Sequence, residues 1–373
     1  GERRMTKAAE LAKMGEVLTN SQIGGRRNIV INGAMNVSAR STSVTGLGDG
    51  DEGYVTVDRM RHTAAASAGR FTSAQTAISD LSGFLNCLHL DCTTADTSIS
   101  SGELLKLEYR MEGQDVQQLK KGTSDAEKIT VSFYMKTNKA FTFMCELDDR
   151  DNNRVNTQQF TTSTSFTRHV LTFAGDTTGA LDDDANASLS VGIYLHAGSD
   201  FTGGTYSANT WQSRASSDNM RAVGIGSFYD STDNDVKITG LQVEVGSVAT
   251  PFEHRSFGEE IRLCQRYYYR RNMTSAGLNN EFFSVVYAYG TTDVQGGQPH
   301  PVPMRASPSI SFNDTVKVTN GSQVYESSSG FAFTNFSSVD MASFYTQSGA
   351  FTGMTQYNAY MMYGGAANDF MEV

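Results

Sequence analysis

Residues 238–270 read ITGLQVEVGSVATPFEHRSFGEEIRLCQRYYYR, and this stretch decides how the chain divides. Ile238, Leu241, Val243 and Val245 are apolar while Thr239, Gln242 and Glu244 are polar, the alternation of a half-buried strand. Gly246 ends that strand, and Pro251 fixes φ and keeps the preceding residue extended. Ser256 and Glu259 then have the spacing of a capping box, in which the serine oxygen accepts from a free backbone N–H and the glutamate reaches back. The spacing predicts a helix from there, with Leu263, Cys264, Tyr267 and Arg271 on one face and Ile261 and Tyr268 widening it. A β-rich domain closes and a second structure opens within about thirty residues.

Composition agrees. At 373 residues the chain exceeds a typical single domain, so two domains, each with its own core, are expected. Hydrophobic content of 39% with 19% charged residues and 35 glycines reads as globular β structure. All prolines stand at 251, 299, 301, 303 and 308, a change in turn chemistry that independently marks a boundary near 255. The net charge of -10 argues against a nucleic-acid surface, which needs clustered Lys and Arg. No run nears the roughly 18 apolar residues of a spanning helix, and GERRMTKAAELAKMGEV lacks the apolar core of a secretory signal. Cys87, Cys92, Cys145 and Cys264 show no disulfide framework and fit a reducing compartment. His89, between the first two cysteines, does not complete a zinc pattern.

Toward the N-terminus, Leu11, Met14 and Leu18 give a short helix with a narrow apolar stripe, marginal alone and suited to a small oligomeric bundle. From Arg27 to Phe252 short alternating runs follow one another. Leu105, Leu107, Tyr109 and Met111 share one strand face. KITVSFYMK and KAFTFMCEL, joined by Thr137-Asn138-Lys139, read as a hairpin with Ile129, Val131, Phe133 and Met135 on one side. HVLTF, SLSVGIYLH and VKITGLQVEV complete a set that favours a two-sheet jelly roll. From Glu281 onward further short strands predict a smaller β-sandwich. Tyr357, Tyr360 and Tyr363 there have a spacing that suits a helix or an irregular aromatic patch.

The ordered segments NIVINGAMNVSARSTSVTG, GYVTVDRMRH, LEYRMEGQDVQQLKKGTSDAEKITVSFYMK, GDTTGALDDD and the 238–270 run resemble those of tailed-phage tail fibre and virion appendage proteins. PVPMRASPSISF resembles a piece that follows in such fibres. The resemblance covers roughly residues 27–270 and implies a carbohydrate-binding-module-like jelly-roll domain that opens with a first strand, an Asn-Gly turn and a strand through Tyr54 and Arg59. The organisation expected is an N-terminal helical attachment segment (1–26), a β-jelly-roll (27–255), a connecting helix (256–272) and a C-terminal β-sandwich (273–373). The resemblance further implies a homotrimer located in the virion and assembled in the host cytoplasm. It would bind other virion proteins through its N-terminus and a host-surface glycan outside. The alternatives are a head-attached fibre or decoration protein with a purely architectural role and a cellular carbohydrate-binding adhesin, the latter opposed by the missing signal sequence.

No catalytic residue is assigned. The histidines at 62, 89, 169, 196, 254 and 300 sit in no nucleophile or metal motif, and Asp148-Asp149 and Asp182-Asp183-Asp184 read as solvated turns, not as the opposed carboxyls of a glycosidase. A cofactor is not expected. The structural calcium of related jelly rolls is not favoured, because Asn32-Gly33-Ala34-Met35-Asn36 lacks the acidic ligands; Asp49-Gly50-Asp51-Glu52 and Asp230, Asp233 and Asp235 are the alternative oxygen clusters. Trp211, with Tyr206 and Asn209, is the candidate glycan platform, competing with roles in capping the core or in a subunit contact. Leu11, Met14, Leu18, Leu263, Tyr267 and Tyr268 are the candidate oligomer or interdomain contacts.

Overall fold

The structure, a computed structural model, describes residues 27–272, 283–328, 330–347, 349–364 and 370–373. Leu11, Met14 and Leu18 lie outside the described residues. The chain is mainly β and forms two compact units, one ending at Ser256 and the other running Phe257–Val373.

The first unit is a two-sheet antiparallel sandwich. One sheet holds β1 (Ser43–Leu47), β4 (Arg70–Ala77), β5 (Asn86–Thr94), β13 (Asp235–Val245), β7 (Ile129–Thr137) and β10 (Thr167–Phe173), in the order β1-β4-β5-β13-β7-β10. The other holds β12 (Gln212–Ser213), β9 (Arg154–Thr161), β8 (Thr142–Asp149), β11 (Ala187–Ala197), β6 (Leu104–Glu112), β3 (Arg61–Ala65) and β2 (Glu52–Gly53), in the order β12-β9-β8-β11-β6-β3-β2. Alternate residues of both sheets meet in one core: Leu105, Leu107, Tyr109 and Met111 from β6 face Val131, Phe133 and Met135 from β7 and Ile238, Leu241 and Val243 from β13. This is the inward alternation of a sandwich.

KITVSFYMK and KAFTFMCEL both form strands, but they do not pair as a hairpin. β7 pairs with β10 and β13, whereas β8 pairs with β9 and β11 in the opposite sheet. The Thr137 hydroxyl donates to the Lys139 carbonyl (2.6 Å) and to the Thr162 hydroxyl (2.7 Å), fixing a corner where the chain changes sheet.

The opening segment also departs from expectation. Residues 27–37 are extended or turned but form no ladder strand, and Asp58 and Arg59 lie in a turn with Arg59 at φ 73. Side chains do the pairing instead. Asn28 Oδ1 accepts from the amides of Val30 (3.0 Å) and Val243 (3.1 Å), and its Nδ2 donates to Leu241 O (3.2 Å). Asn32, left-handed at φ 60, donates through Nδ2 to Val37 O and Asp58 O and accepts from Val37 N. Gly33 runs so close to β13 that a Cβ there would stand 2.1 Å from Leu241 O. Arg255 closes the clasp by donating to the Val30 and Asn28 carbonyls.

In the second unit, β19 (Val324–Glu326), β18 (Val316–Thr319), β22 (Ala359–Gly364), β15 (Ser284–Ala288), β16 (Val294–Pro299), β21 (Met341–Thr346) and β20 (Phe333–Asn335) form one antiparallel sheet in that order. A three-stranded sheet joins β14 (Arg270–Asn272), β23 (Phe370–Glu372) and β17 (Ser311–Phe312). Phe283, Phe344, Phe351, Met362 and Met371 are among its core residues. Tyr360 and Tyr363 lie on β22 and Tyr357 in the turn before it at φ 65, so their spacing marks no helix. The helix Phe257–Gln265 starts directly after Ser256 and belongs to this unit. No described helix is long and apolar enough to cross a membrane.

Asn28→Ala leaves two buried amides and a carbonyl without partners, each of which costs about 1–3 kcal/mol when unsatisfied. The expected result is a lower urea midpoint with an unchanged slope, a loss of about 3 kcal/mol or more in all. A loss under about 0.5 kcal/mol would show that the clasp does not hold the domain together.

Candidate functional site: the outer face of the seven-stranded sheet

The alternation that sends Leu105, Leu107 and Tyr109 inward sends Lys106, Glu108 and Arg110 outward. On β8 it turns Met144, Glu146 and Asp148 outward, on β11 Ser190, Gly192 and Tyr194, and on β3 Arg61 and Thr63. Strand register sets Glu146, Gly192, Glu108 and Arg61 in one row across four strands. Gly192 is needed at the centre: Lys106 lies over it, and a Cβ would come within 2.9 Å of the lysine Cδ.

The carboxylates of this face are buried under cations. Glu108, 1% exposed, accepts from Arg110 Nε (2.7 Å) and lies 3.3 Å from Arg61, 3.5 Å from Lys106 and 3.6 Å from Arg150. Burial alone would raise its pKa; Lys106, Arg110 and Arg150 outweigh burial and hold it at about 2. Glu146 is fully buried and takes a two-pronged contact from Arg221 (2.6 and 2.7 Å), with Lys106 Nζ 3.6 Å away. Burial opposes its charge, yet the same two cations bring its pKa below the usual range. Asp148 is raised by burial and by the Glu146 charge, against the pull of Lys106, Arg214 and Arg221. Arg214 donates directly to it. The Tyr194 hydroxyl, kept protonated by burial and by Glu146, donates to Glu146 at 3.3 Å.

One end of the face is covered by the chain itself. After β11 the segment 198–226 folds back, and Phe201, Tyr206, Ala222 and Ile225 pack on Met144, Tyr194 and Ala197. The amide of Ala222 donates to Phe201 O (2.9 Å) and that of Gly226 to Thr142 O (2.8 Å), which pins the cover to β8. The side chains of Arg61, Arg110 and Arg150 stand 12%, 26% and 32% exposed, and that of Arg214, within the cover itself, 25%.

The residues singled out from the sequence fall elsewhere or take other duties. Trp211 is half-buried against the main core at the open edge of the sandwich; its indole N–H donates to Ala174 O (2.7 Å), and Lys121 Nζ stands 5.3 Å from its ring centre. Tyr206 accepts from the Gln159 amide and belongs to the cover. Asn209 Oδ1 accepts from the Ala174 amide, so Asn209 and Trp211 both hold Ala174. In the second unit Tyr268 is buried and donates to Glu372 (2.8 Å), while Leu263 and Tyr267 are half-buried.

Asp148 and Asp149 are not solvated turn residues: both are buried at the end of β8. Asp149 meets Lys121 Nζ at 2.5 Å, and that ammonium also contacts Asp176 (3.0 Å) and the carbonyls of Thr178 and Gly179. A lysine thus fills a nest of four oxygens. Asp49 and Asp51 accept from backbone amides, Glu52 pairs with Arg61, Asp230 with Lys139 and Asp235 with Lys237. Ser227, His196 and Glu103 form a chain of 2.8 Å contacts, but the imidazole is fully buried, its pKa is lowered by desolvation, and the serine oxygen also accepts from the Tyr229 amide. It ties β11 to the loop before β13.

Sequence reasoning missed the charged face. The available signal was charge alternating with apolar residues along a strand, in LEYRME of β6 and on either side of Leu147 in β8.

No family model matches the chain, and no curated protein matches it. Among solved structures, similarity is found to the enzymatically active domain of bacteriophage CBA120 tailspike protein 4 (9% identity, TM-score 0.30, 58% of this chain and 21% of that one). It is also found to a family 11 carbohydrate-binding module from Clostridium thermocellum (10%, 0.27, 56% and 99%) and to a putative sugar binding protein from Bacteroides thetaiotaomicron (11%, 0.28, 59% and 100%). The chain thus spans about a fifth of the tailspike domain's length.

Removing Arg221 strands Glu146, so Arg221→Met is expected to cost about 3–5 kcal/mol, and pairing it with Glu146→Gln to recover part of that loss. Additive losses in the double-mutant cycle would dismiss the coupling. A second expectation concerns acid. Because the folded pKa of Glu108 lies near 2 against an ordinary 4.5, its contribution is complete above about 4.5 and is lost as pH falls toward 2. The stability gap between the wild type and Glu108→Gln should therefore close over that window in urea titrations, and a constant gap would contradict it.

Proposed function

We propose that this chain is a non-enzymatic attachment subunit of a tailed-phage fibre or virion appendage, and that the outer face of its seven-stranded sheet recognises a surface glycan. The observation that carries the reading is the arrangement around Glu108: partly exposed arginine side chains gather about a buried carboxylate, Arg110 and Arg61 by hydrogen bonds, on a sheet face whose far end the chain closes itself. Polar groups fixed before a ligand arrives cost less ordering on binding, which is what recognition of a flexible polysaccharide requires. The residue patterns shared with fibre proteins supply the biological setting. The segment 1–26 serves as the arm toward other virion proteins, and a homotrimer would turn a weak single-site contact into firm attachment through effective concentration.

Glu108 and Glu146 do not form the acid–base pair of glycosidic cleavage, since cations hold both below the usual carboxylate range. The intact protein is expected to be retarded in gels containing a bound polysaccharide and to release no reducing ends from it on prolonged incubation. Release of oligosaccharide products would replace this reading with an enzymatic one, and the absence of retardation by every polysaccharide offered would leave the sheet face a purely architectural feature.

A further inference from the structure

We infer that the glycan taken by this face is an anionic one, a polysaccharide carrying carboxylates, held by Arg110 and Arg150 with Arg61 and Arg214 at the margins. The inference rests on the glycan reading of the same face and adds the chemical class. Its basis is a local inversion of charge. The chain as a whole carries -10. On this face, however, the six cations Lys106, Arg61, Arg110, Arg150, Arg214 and Arg221 are gathered around the buried carboxylates Glu108, Glu146 and Asp148, with Glu112 a fourth buried acid on the same alternation of β6. Glu52 and Asp218, the further acids in contact, are each 53% exposed at the edges, where water screens them.

The buried acids cannot satisfy all the donors around them. Glu108 is one negative charge shared among four cations. Arg110 reaches it only through Nε. Arg150 stands 3.6 Å from Glu108 and 3.8 Å from Asp148, beyond hydrogen-bonding distance to both, while remaining the most exposed of the four rim arginines. Arg110 and Arg150, with side chains 26% and 32% exposed, thus keep N–H groups that Glu108 does not take up, and a planar N–H pair is what a carboxylate meets with two parallel hydrogen bonds. A neutral sugar ring would use these donors singly and leave the positive excess uncompensated.

Affinity electrophoresis of the full chain against polygalacturonate, dextran and dextran sulfate tests this. Polygalacturonate should retard the protein at about 50 mM salt, and its apparent affinity should fall at least about tenfold by about 500 mM as the charges are screened. Arg150→Gln, which breaks no hydrogen bond to a buried group, should weaken that binding about tenfold without moving the melting temperature, and Arg150→Lys should restore only part of it. Arg110→Gln should weaken it further.

Equal, salt-independent retardation by dextran would keep the glycan reading and overturn the anionic one. Binding of dextran sulfate without polygalacturonate would reduce the face to unspecific polyanion attraction and overturn the carboxylate assignment. Polygalacturonate binding untouched by either arginine variant would move the site elsewhere, and no binding to any of the three would remove both readings.

Discussion

Everything on the outer sheet face depends on Glu146, a carboxylate with no exposure at the centre of β8. Burying an isolated carboxylate costs several kcal/mol, so it stays charged only where cations and donors are already in place. Arg221 supplies two hydrogen bonds, Lys106 a nearby charge and Tyr194 a hydroxyl. Each partner comes from a different part of the chain: Lys106 from β6, Tyr194 from β11, and Arg221 from the excursion that follows β11. The ion pair therefore fixes where the 198–226 cover ends. It also makes Gly192 obligatory, because the lysine stem crosses the sheet over that position.

The opposite sheet is held by a different device. β13 is its central strand and the last of the domain, and it must be tied to a segment more than 200 residues earlier. A paired strand would do this with ladder bonds. Asn28, Asn32 and Arg255 do it with side chains, which leaves the first segment free to turn sharply at Asn32 while its polar groups stay satisfied. The clasp and the Glu146 network are independent, one closing the sandwich and the other dressing its outer face.

Much of this was legible in the sequence, and the failures have common causes. Alternation in Leu105–Met111 and in Ile129–Met135 located strands and their inward faces correctly, because a residue facing the core must be apolar whichever strand lies beside it. Alternation does not say which strand that is. β7 and β8 both point apolar residues at the same core from opposite sides, and a short link serves a crossing between sheets about 10 Å apart as well as a hairpin. Asp148 and Asp149 were misplaced for a related reason: adjacent aspartates suggest solvent until cations from distant segments, Arg214 and Lys121, are known to meet them. Trp211, the lone tryptophan, is partly buried against the core, and its indole N–H donates to Ala174 O.

The compensation that builds the face also sets what it can do. Cleaving a glycosidic bond needs one carboxylic acid that releases its proton near neutral pH and a second carboxylate across the sugar. Glu108 is drawn far below that range. Asp148 is pushed upward by burial and by Glu146, but a guanidinium donates to it directly, and it is 4% exposed. The carboxylates are buried, while the arginine side chains around them stay partly exposed. A surface of fixed donors backed by buried acceptors suits an acceptor-rich ligand held in place, whereas general acid catalysis would need one of those buried oxygens exposed and protonated. Arg61 and Arg110 stand on β3 and β6, where the ladder sets the strand spacing at about 4.8 Å, whereas Arg150 lies in the turn that follows β8 and Arg214 just after β12.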